Sequence, residues 1–125
     1  TEVTYVTNLG VMVDAFVDGL RKGMVMQEAE IGKLFSNVGE LLALHRPALR
    51  ELQKLIDKDL WNSRTCIGDI FVQMATWLPK YAVYINNYDQ AGRQLDEMKS
   101  TPNSKLRAFL ETMEADDRWV GPRTE

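Results

Sequence analysis

Apolar side chains recur along most of the chain at intervals of three and four residues, which is the spacing of one face of an α-helix. The first run of this pattern has the apolar positions Tyr5, Leu9, Met12, Val13, Phe16 and Leu20. Gly19 and Gly23 lie at its end, and glycine is common where a helix stops. We therefore expect a first helix that ends between Gly19 and Gly23.

Two longer runs repeat the pattern, and each contains a proline. The second run covers residues 28–56 with Pro47 inside it, and the third covers about 65–98 with Pro79 inside it. An interior proline removes a backbone donor and collides with the preceding turn. The pattern thus predicts a kink or break at residues 45–47 and one long, bent helix for the third run.

A last, shorter helix is predicted beyond the turn-forming residues 100–103. Ser104 follows this turn and is a favourable N-cap residue. The apolar positions behind it are Leu106, Phe109, Leu110 and Met113. Residues 118–125 include the pair Gly121 and Pro122 and are interpreted as a tail.

The fold class predicted by these patterns is all-α. No segment of four to eight residues alternates apolar and polar positions between turn signals, and no repeat period recurs. Long helices with short connections pack as antiparallel bundles. We expect an elongated antiparallel helical bundle in which the apolar stripes of the second and third runs face each other.

Composition narrows the function classes. The chain has 125 residues, a net charge of −3, one cysteine and no long run of like charge, so nucleic-acid binding is not expected. No apolar run approaches the roughly 20 residues needed to cross a bilayer. A lone Cys66 cannot form an internal disulfide, and its apolar-rich segment favours a buried thiol in a reducing compartment. We expect a single domain in the cytoplasm.

No arrangement of polar side chains indicates covalent catalysis, a cofactor or a metal. His45 is the only histidine and has no acidic neighbour at helical spacing, so it is interpreted as a packing residue. The acids Glu111, Glu114, Asp116 and Asp117 are typical of a solvated helix end. The scattered glycines do not form a phosphate-binding loop, so the chain itself should not bind nucleotide.

Glu2 differs from these residues because it precedes the apolar stripe of the first helix, which begins at Tyr5. Spacing leaves two interpretations open. The acid stabilises the positive end of the helix dipole, or it faces a binding partner.

Three separated blocks, in this order, resemble the Dbl-homology (RhoGEF) domain family. Residues 1–9 resemble its first signature block, residues 31–49 its second, and residues 67–91 the long helix that follows. Residues 109–111 resemble the short helix beyond it. Members of this family promote guanine-nucleotide exchange on Rho-family small GTPases without covalent chemistry of their own.

The resemblance implies roles for Glu2 and Val6 of the first block as GTPase-binding residues. The acid three positions before Tyr5 meets the switch I region of the GTPase and competes for contacts that help to hold magnesium. The exchange factor then stabilises the nucleotide-free GTPase, so GDP leaves and GTP enters. Such a factor accelerates release through tighter binding of the empty state.

The resemblance also has a gap. The family's third signature block, a long helix with a Leu, Pro, Gln-Arg and Lys-Tyr pattern, has no counterpart in residues 115–125. A pleckstrin-homology domain, through which the family contacts membranes indirectly, is not found either. We therefore expect an incomplete Dbl-homology-like domain over residues 1–117 and a tail over 118–125. The alternative function is a non-catalytic interaction module, or a homo-oligomer formed through an apolar stripe that a missing helix exposes.

Overall fold

The computed structural model describes residues 1–57, 66–102 and 104–116. Within these ranges the secondary structure is entirely helical, which confirms the all-α prediction. The first helix, α1, is one continuous unit made of the α-helical segment Glu2–Gly10, the π-helical segment Val11–Val17 and the α-helical segment Asp18–Lys22. The helices that follow are α2 (Glu28–Phe35), α3 (Val38–Asp57), α4 (Gly68–Ala75), α5 (Leu78–Ser100) and α6 (Lys105–Glu114).

Helix α1 ends between Gly19 and Gly23, as predicted. Lys22 is its last residue, and the backbone N–H of Gly23 donates to the carbonyl oxygen of Gly19 at 2.9 Å. The chain then turns through Met24, whose φ of 49° is left-handed, into α2. Gln27 and Glu30 close a reciprocal capping box at the start of α2, which satisfies backbone donors that a helix start leaves open.

Of the kink or break predicted at residues 45–47, the break is wrong. The chain breaks about ten residues earlier, at Ser36, which has a left-handed φ of 50°, and α3 then continues through Pro47. Pro47 deprives the carbonyl of Ala43 of its helical donor. Both residues are exposed, so water can bond to that carbonyl and the helix tolerates the proline.

The prediction of one long, bent helix for the third run is also wrong. Helices α4 and α5 are separate, with Thr76 and Trp77 between them. Pro79 lies in the first turn of α5, where a missing N–H removes no helical hydrogen bond. The proline therefore starts a helix and does not bend one.

The last helix agrees with its prediction. Ser104 is the N-cap residue of α6, and its Oγ accepts a hydrogen bond from the backbone N–H of Arg107 at 3.2 Å. The boundary predicted between residues 117 and 118 lies outside the described residues and stays a prediction.

Two clusters of buried side chains hold the helices together. The first cluster lies between α1 and α3 and consists of Val6, Leu9, Val38, Leu41 and Leu42. The second cluster joins the end of α1 to α2 and α6 and consists of Leu20, Met26, Ile31 and Leu106. Phe35, at the end of α2, packs against both clusters. Helix α5 lies against α2 and α3, but the apolar stripe predicted for the third run is only partly covered by that contact, since Leu78, Ile85 and Tyr88 are exposed.

Helices α4 and α5 expose apolar surface. Neither helix contains a buried residue. Their exposed large side chains are Phe71, Val72, Leu78, Val83, Ile85 and Tyr88. Cys66, expected to be buried, is exposed, because the short segment before α4 lies outside both clusters. None of the described helices combines the length and apolar character that a bilayer crossing requires.

Candidate functional site

The carboxylate of Glu2 is bound to the only histidine of the chain. Glu2 occupies the first turn of α1, and its Oε1 lies 2.7 Å from Nδ1 of His45 on α3. The Glu2 side chain is 29% exposed, whereas that of His45 is 8% exposed. A buried anchor therefore holds a carboxylate that still reaches the surface.

The other imidazole nitrogen continues the chain of hydrogen bonds. Nε2 of His45 lies 2.6 Å from the hydroxyl of Tyr81 on α5, and that hydroxyl lies 2.6 Å from the hydroxyl of Tyr5 on α1. These four side chains, from α1, α3 and α5, are called the Glu2 network below. They join three helices that are distant in sequence.

The chemistry of the groups orders the protons in this network. An ionised carboxylate can only accept, so Nδ1 of His45 carries the hydrogen that is donated to Glu2. In the neutral imidazole Nε2 is then an acceptor, and the Tyr81 hydroxyl donates to it. The Tyr5 hydroxyl in turn donates to Tyr81. In this arrangement every donor points toward Glu2, and each buried polar atom has a partner.

Aromatic rings surround the imidazole of His45. The rings of Tyr5, Trp77 and Tyr81 meet the imidazole edge-on, with centroids 4.9, 5.9 and 5.9 Å away. Burial raises the pKa of Tyr81 far above its ordinary value of 10. The Tyr81 hydroxyl therefore stays protonated and remains able to donate.

Polar contacts fix α5, and with it Tyr81, against α2 and α3. The side-chain amide of Asn37 donates to the carbonyl oxygen of Lys80 at 2.9 Å, and that of Asn87 donates to the carbonyl oxygen of Lys33 at 2.7 Å. Lys80 Nζ also lies 2.7 Å from a carboxylate oxygen of Glu40. Because Lys80 immediately precedes Tyr81, these bonds hold the part of the backbone that carries the Tyr81 side chain.

The structure separates the two residues predicted to bind a GTPase. Glu2 lies at the protein surface, and His45 binds one of its oxygens, a contact that neither interpretation of its spacing included. Val6 lies one turn further along α1, and its side chain is buried in the first cluster, 9% exposed. The geometry thus leaves Glu2 as the surface group of this pair.

Other acidic residues do not converge on a site. Where the structure describes the chain, no group of three or more histidine, cysteine, aspartate or glutamate side chains is arranged to hold a metal ion. Glu111 forms an ion pair with Arg107 on the surface of α6, at 3.5 Å. Asp117, part of the acidic set singled out in the sequence, lies outside the described residues.

Comparison with known proteins decides the family. A sequence model of the RhoGEF domain matches residues 1–121, nearly the whole chain. The chain belongs to the RhoGEF domain family. The resemblance carried by the three sequence blocks is thereby confirmed, and the all-helical structure agrees with it.

The relatives of this RhoGEF domain are much longer proteins. It is 32% identical over 111 residues to a myosin-M heavy chain of Dictyostelium discoideum, covering 89% of this chain and 6% of the relative. The Rac guanine nucleotide exchange factor JJ of the same organism is 32% identical over 109 residues, 84% of this chain and 9% of the relative. A phosphatidylinositol 3,4,5-trisphosphate-dependent Rac exchanger 1 protein of Mus musculus is 28% identical over 116 residues, 88% of this chain and 7% of the relative.

The chain spans less than a tenth of each of these three relatives. No solved structure matches it.

Sequence reasoning missed the Glu2 network in this RhoGEF domain. His45 was interpreted as a packing residue, and its burial agrees with that interpretation, but its two polar partners were not found. A usable signal existed. His45 shares a helix face with the buried Leu41, Leu42 and Ala48. A buried imidazole requires hydrogen-bond partners, which points to polar side chains on the facing helices.

Proposed function

We propose that this RhoGEF domain promotes the release of GDP from a Rho-family small GTPase by stabilising the nucleotide-free state. The observation that carries the proposal is the family match over residues 1–121. Two of the three relatives described above are Rac exchange factors by name, so a Rac-type GTPase is the partner to test first. The exchange activity requires no covalent step from this chain.

The physical basis is a difference in affinity. A domain that binds the empty GTPase more tightly than the GDP-bound form lowers the barrier to release without changing the final nucleotide equilibrium. A thousandfold acceleration requires about 4 kcal/mol of such preference in the transition state. Contacts to the GTPase that form only as GDP and its magnesium are displaced supply this preference.

Glu2 is the residue to which we assign the contact with switch I. Its carboxylate has two oxygens with about four acceptor sites, and one oxygen is bound to His45. A negative group at this place competes with the nucleotide and magnesium for the same GTPase groups. For Val6, whose side chain packs in the first cluster, we propose an indirect contribution through the position of α1.

Release of a fluorescent GDP analogue from Rac-type and Rho-type GTPases tests the proposal. We expect the chain to accelerate release from at least one of them, and Glu2→Ala to slow that release about tenfold or more, a loss of about 1.4 kcal/mol. Glu97→Ala, at an exposed acid of α5, is the matched control and should leave the rate unchanged. No acceleration from any GTPase of the panel would contradict an exchange activity of this chain.

The second candidate function is a partner-binding or self-associating module without exchange activity. The apolar side chains that α4 and α5 expose, including Phe71, Leu78 and Ile85, favour it. Sedimentation velocity separates the two functions. A concentration-dependent rise in mass without any effect on GDP release supports the second function, whereas a monomer that accelerates release supports the first.

A further inference from the structure

The Glu2 network contains more than a structural role requires. A buried histidine needs hydrogen-bond partners, and water or a backbone carbonyl would satisfy one of its nitrogens. Here Nδ1 is instead directed at the one acid that reaches the surface at the start of α1, at 2.7 Å. Tyr81 and Tyr5 complete the chain of bonds behind it.

The network restricts the conformation of Glu2. A free glutamate on a helix surface samples many rotamers and loses that freedom when it binds a partner. The bond to His45 selects one orientation before binding, so less freedom remains to be lost on association. The anchor is held in turn, because Tyr81 on α5 bonds to its other nitrogen and aromatic rings pack against the imidazole.

We infer that His45, supported by Tyr81 and Tyr5, is a positioning residue that holds the Glu2 carboxylate ready for the GTPase. This inference deepens the proposed function and rests on it. His45 is buried and does not touch the partner. It acts through Glu2, so the loss of the network should weaken GTPase binding only when Glu2 is present.

The state of His45 is the first measurement. Because it is the only histidine, every imidazole signal in a nitrogen-15 NMR spectrum belongs to it. We expect Nδ1 to carry a slowly exchanging hydrogen whose signal shifts in Glu2→Gln, and the Nε2 signal to shift in Tyr81→Phe. A mixture of tautomers that is insensitive to both substitutions overturns the inference.

A double-mutant cycle is the second measurement, read as the affinity for a nucleotide-free Rac-type GTPase. Tyr81→Phe should weaken binding about fivefold in the parent chain and by less than about twofold in the Glu2→Ala background. Equal losses in both backgrounds would show that Tyr81 acts through general stability, and they overturn the inference.

Tyr84→Phe is the matched control for Tyr81→Phe. Tyr84 lies one turn along α5, is half-buried and has a pKa that burial raises, and its hydroxyl is outside the Glu2 network. Tyr84→Phe should leave the affinity for the GTPase unchanged, both in the parent chain and in the Glu2→Ala chain.

A rescue test uses His45→Asn, since an asparagine keeps a donor near the place of Nδ1. His45→Asn should bind more tightly than His45→Leu, and equal affinities contradict the positioning role.

The outcomes separate this inference from the function on which it rests. If the parent chain binds no GTPase, both the proposed function and the positioning role are overturned. A parent chain that binds, with losses that simply add in the cycle, overturns the positioning role alone.

Discussion

Gly19 and Gly32 lie in helices, yet the structure gives opposite signs for their replacement by alanine. An alanine is worth up to about 1 kcal/mol more than glycine inside a helix. At Gly32, on α2, an added methyl group meets nothing within 4 Å. At Gly19, on α1, it would lie 2.9 Å from Cζ and 3.1 Å from Cε2 of Phe109 on α6.

A methyl group added at Gly19 would lie closer to the Phe109 ring than carbon atoms in contact normally approach. Carbon atoms in contact prefer separations of about 3.5–4.0 Å, so the Phe109 ring must move by several tenths of an ångström. That ring packs against the second cluster and meets Phe16 edge-on, with centroids 6.3 Å apart. Overpacking of this kind costs about 1–3 kcal/mol. We expect Gly19→Ala to be less stable than Gly32→Ala by about 1–3 kcal/mol.

Urea and thermal unfolding of the two variants measure this difference. At this chain length about 1 kcal/mol corresponds to about 4 °C in Tm, so the two Tm values should differ by about 4–12 °C. In a Phe109→Leu background the penalty of Gly19→Ala should shrink, because the shorter side chain leaves room for the methyl group. Equal stabilisation by Gly19→Ala and Gly32→Ala would refute the close packing of α6 on α1.

Three further predictions follow from burial and charge. Leu41→Ala should destabilise the chain by about 3–5 kcal/mol because the side chain is fully buried, whereas Leu78→Ala, exposed on α5, should change stability by less than about 0.5 kcal/mol; equal denaturation midpoints would contradict this. Phe35→Ala should cost about 3 kcal/mol in the same assay, since the half-buried ring supports both clusters, and an unchanged melt refutes this role. The hydrogen bond from Lys80 lowers the pKa of the Glu40 carboxyl below 4.5, so the stability that this ion pair contributes is present above pH 4.5 and is lost as the pH falls through the lower folded-state pKa. Glu40→Gln should flatten that part of the curve of stability against pH, and an unaltered curve would refute the link between the ion pair and stability.

The helical pattern of the sequence was sufficient for the fold class but not for all the breaks. Helix α1 ends just before Gly23 and helix α6 begins after Ser104, as predicted, because the residues that cap a helix act locally. The effects of the two prolines could not be predicted from the sequence pattern. At Pro47 the carbonyl that loses its donor is exposed, so the helix continues, and Pro79 lies in the first turn of α5, where no helical hydrogen bond is lost. The break at Ser36 was not predicted, because the residue with positive φ there is neither a glycine nor a proline.

The candidate site was predicted in part. Glu2 was singled out by its place before the apolar stripe and by the family resemblance, and the structure places it at the surface. Its bond to His45 joins residues 43 positions apart, and Tyr81 lies a further 36 positions along the chain. Helical periodicity carries no information about such pairs, because it reports which face a residue occupies and not which helix lies opposite.

Affinity for the two nucleotide states of a Rac-type GTPase tests the central claim most directly. The chain is titrated, by calorimetry, against the GTPase stripped of nucleotide and against the same GTPase loaded with GDP and magnesium. We expect binding to the stripped form that is at least about tenfold tighter, and a smaller preference for Glu2→Ala. Equal affinity for both forms, or no binding to either, would contradict the claim that this RhoGEF domain stabilises the nucleotide-free state.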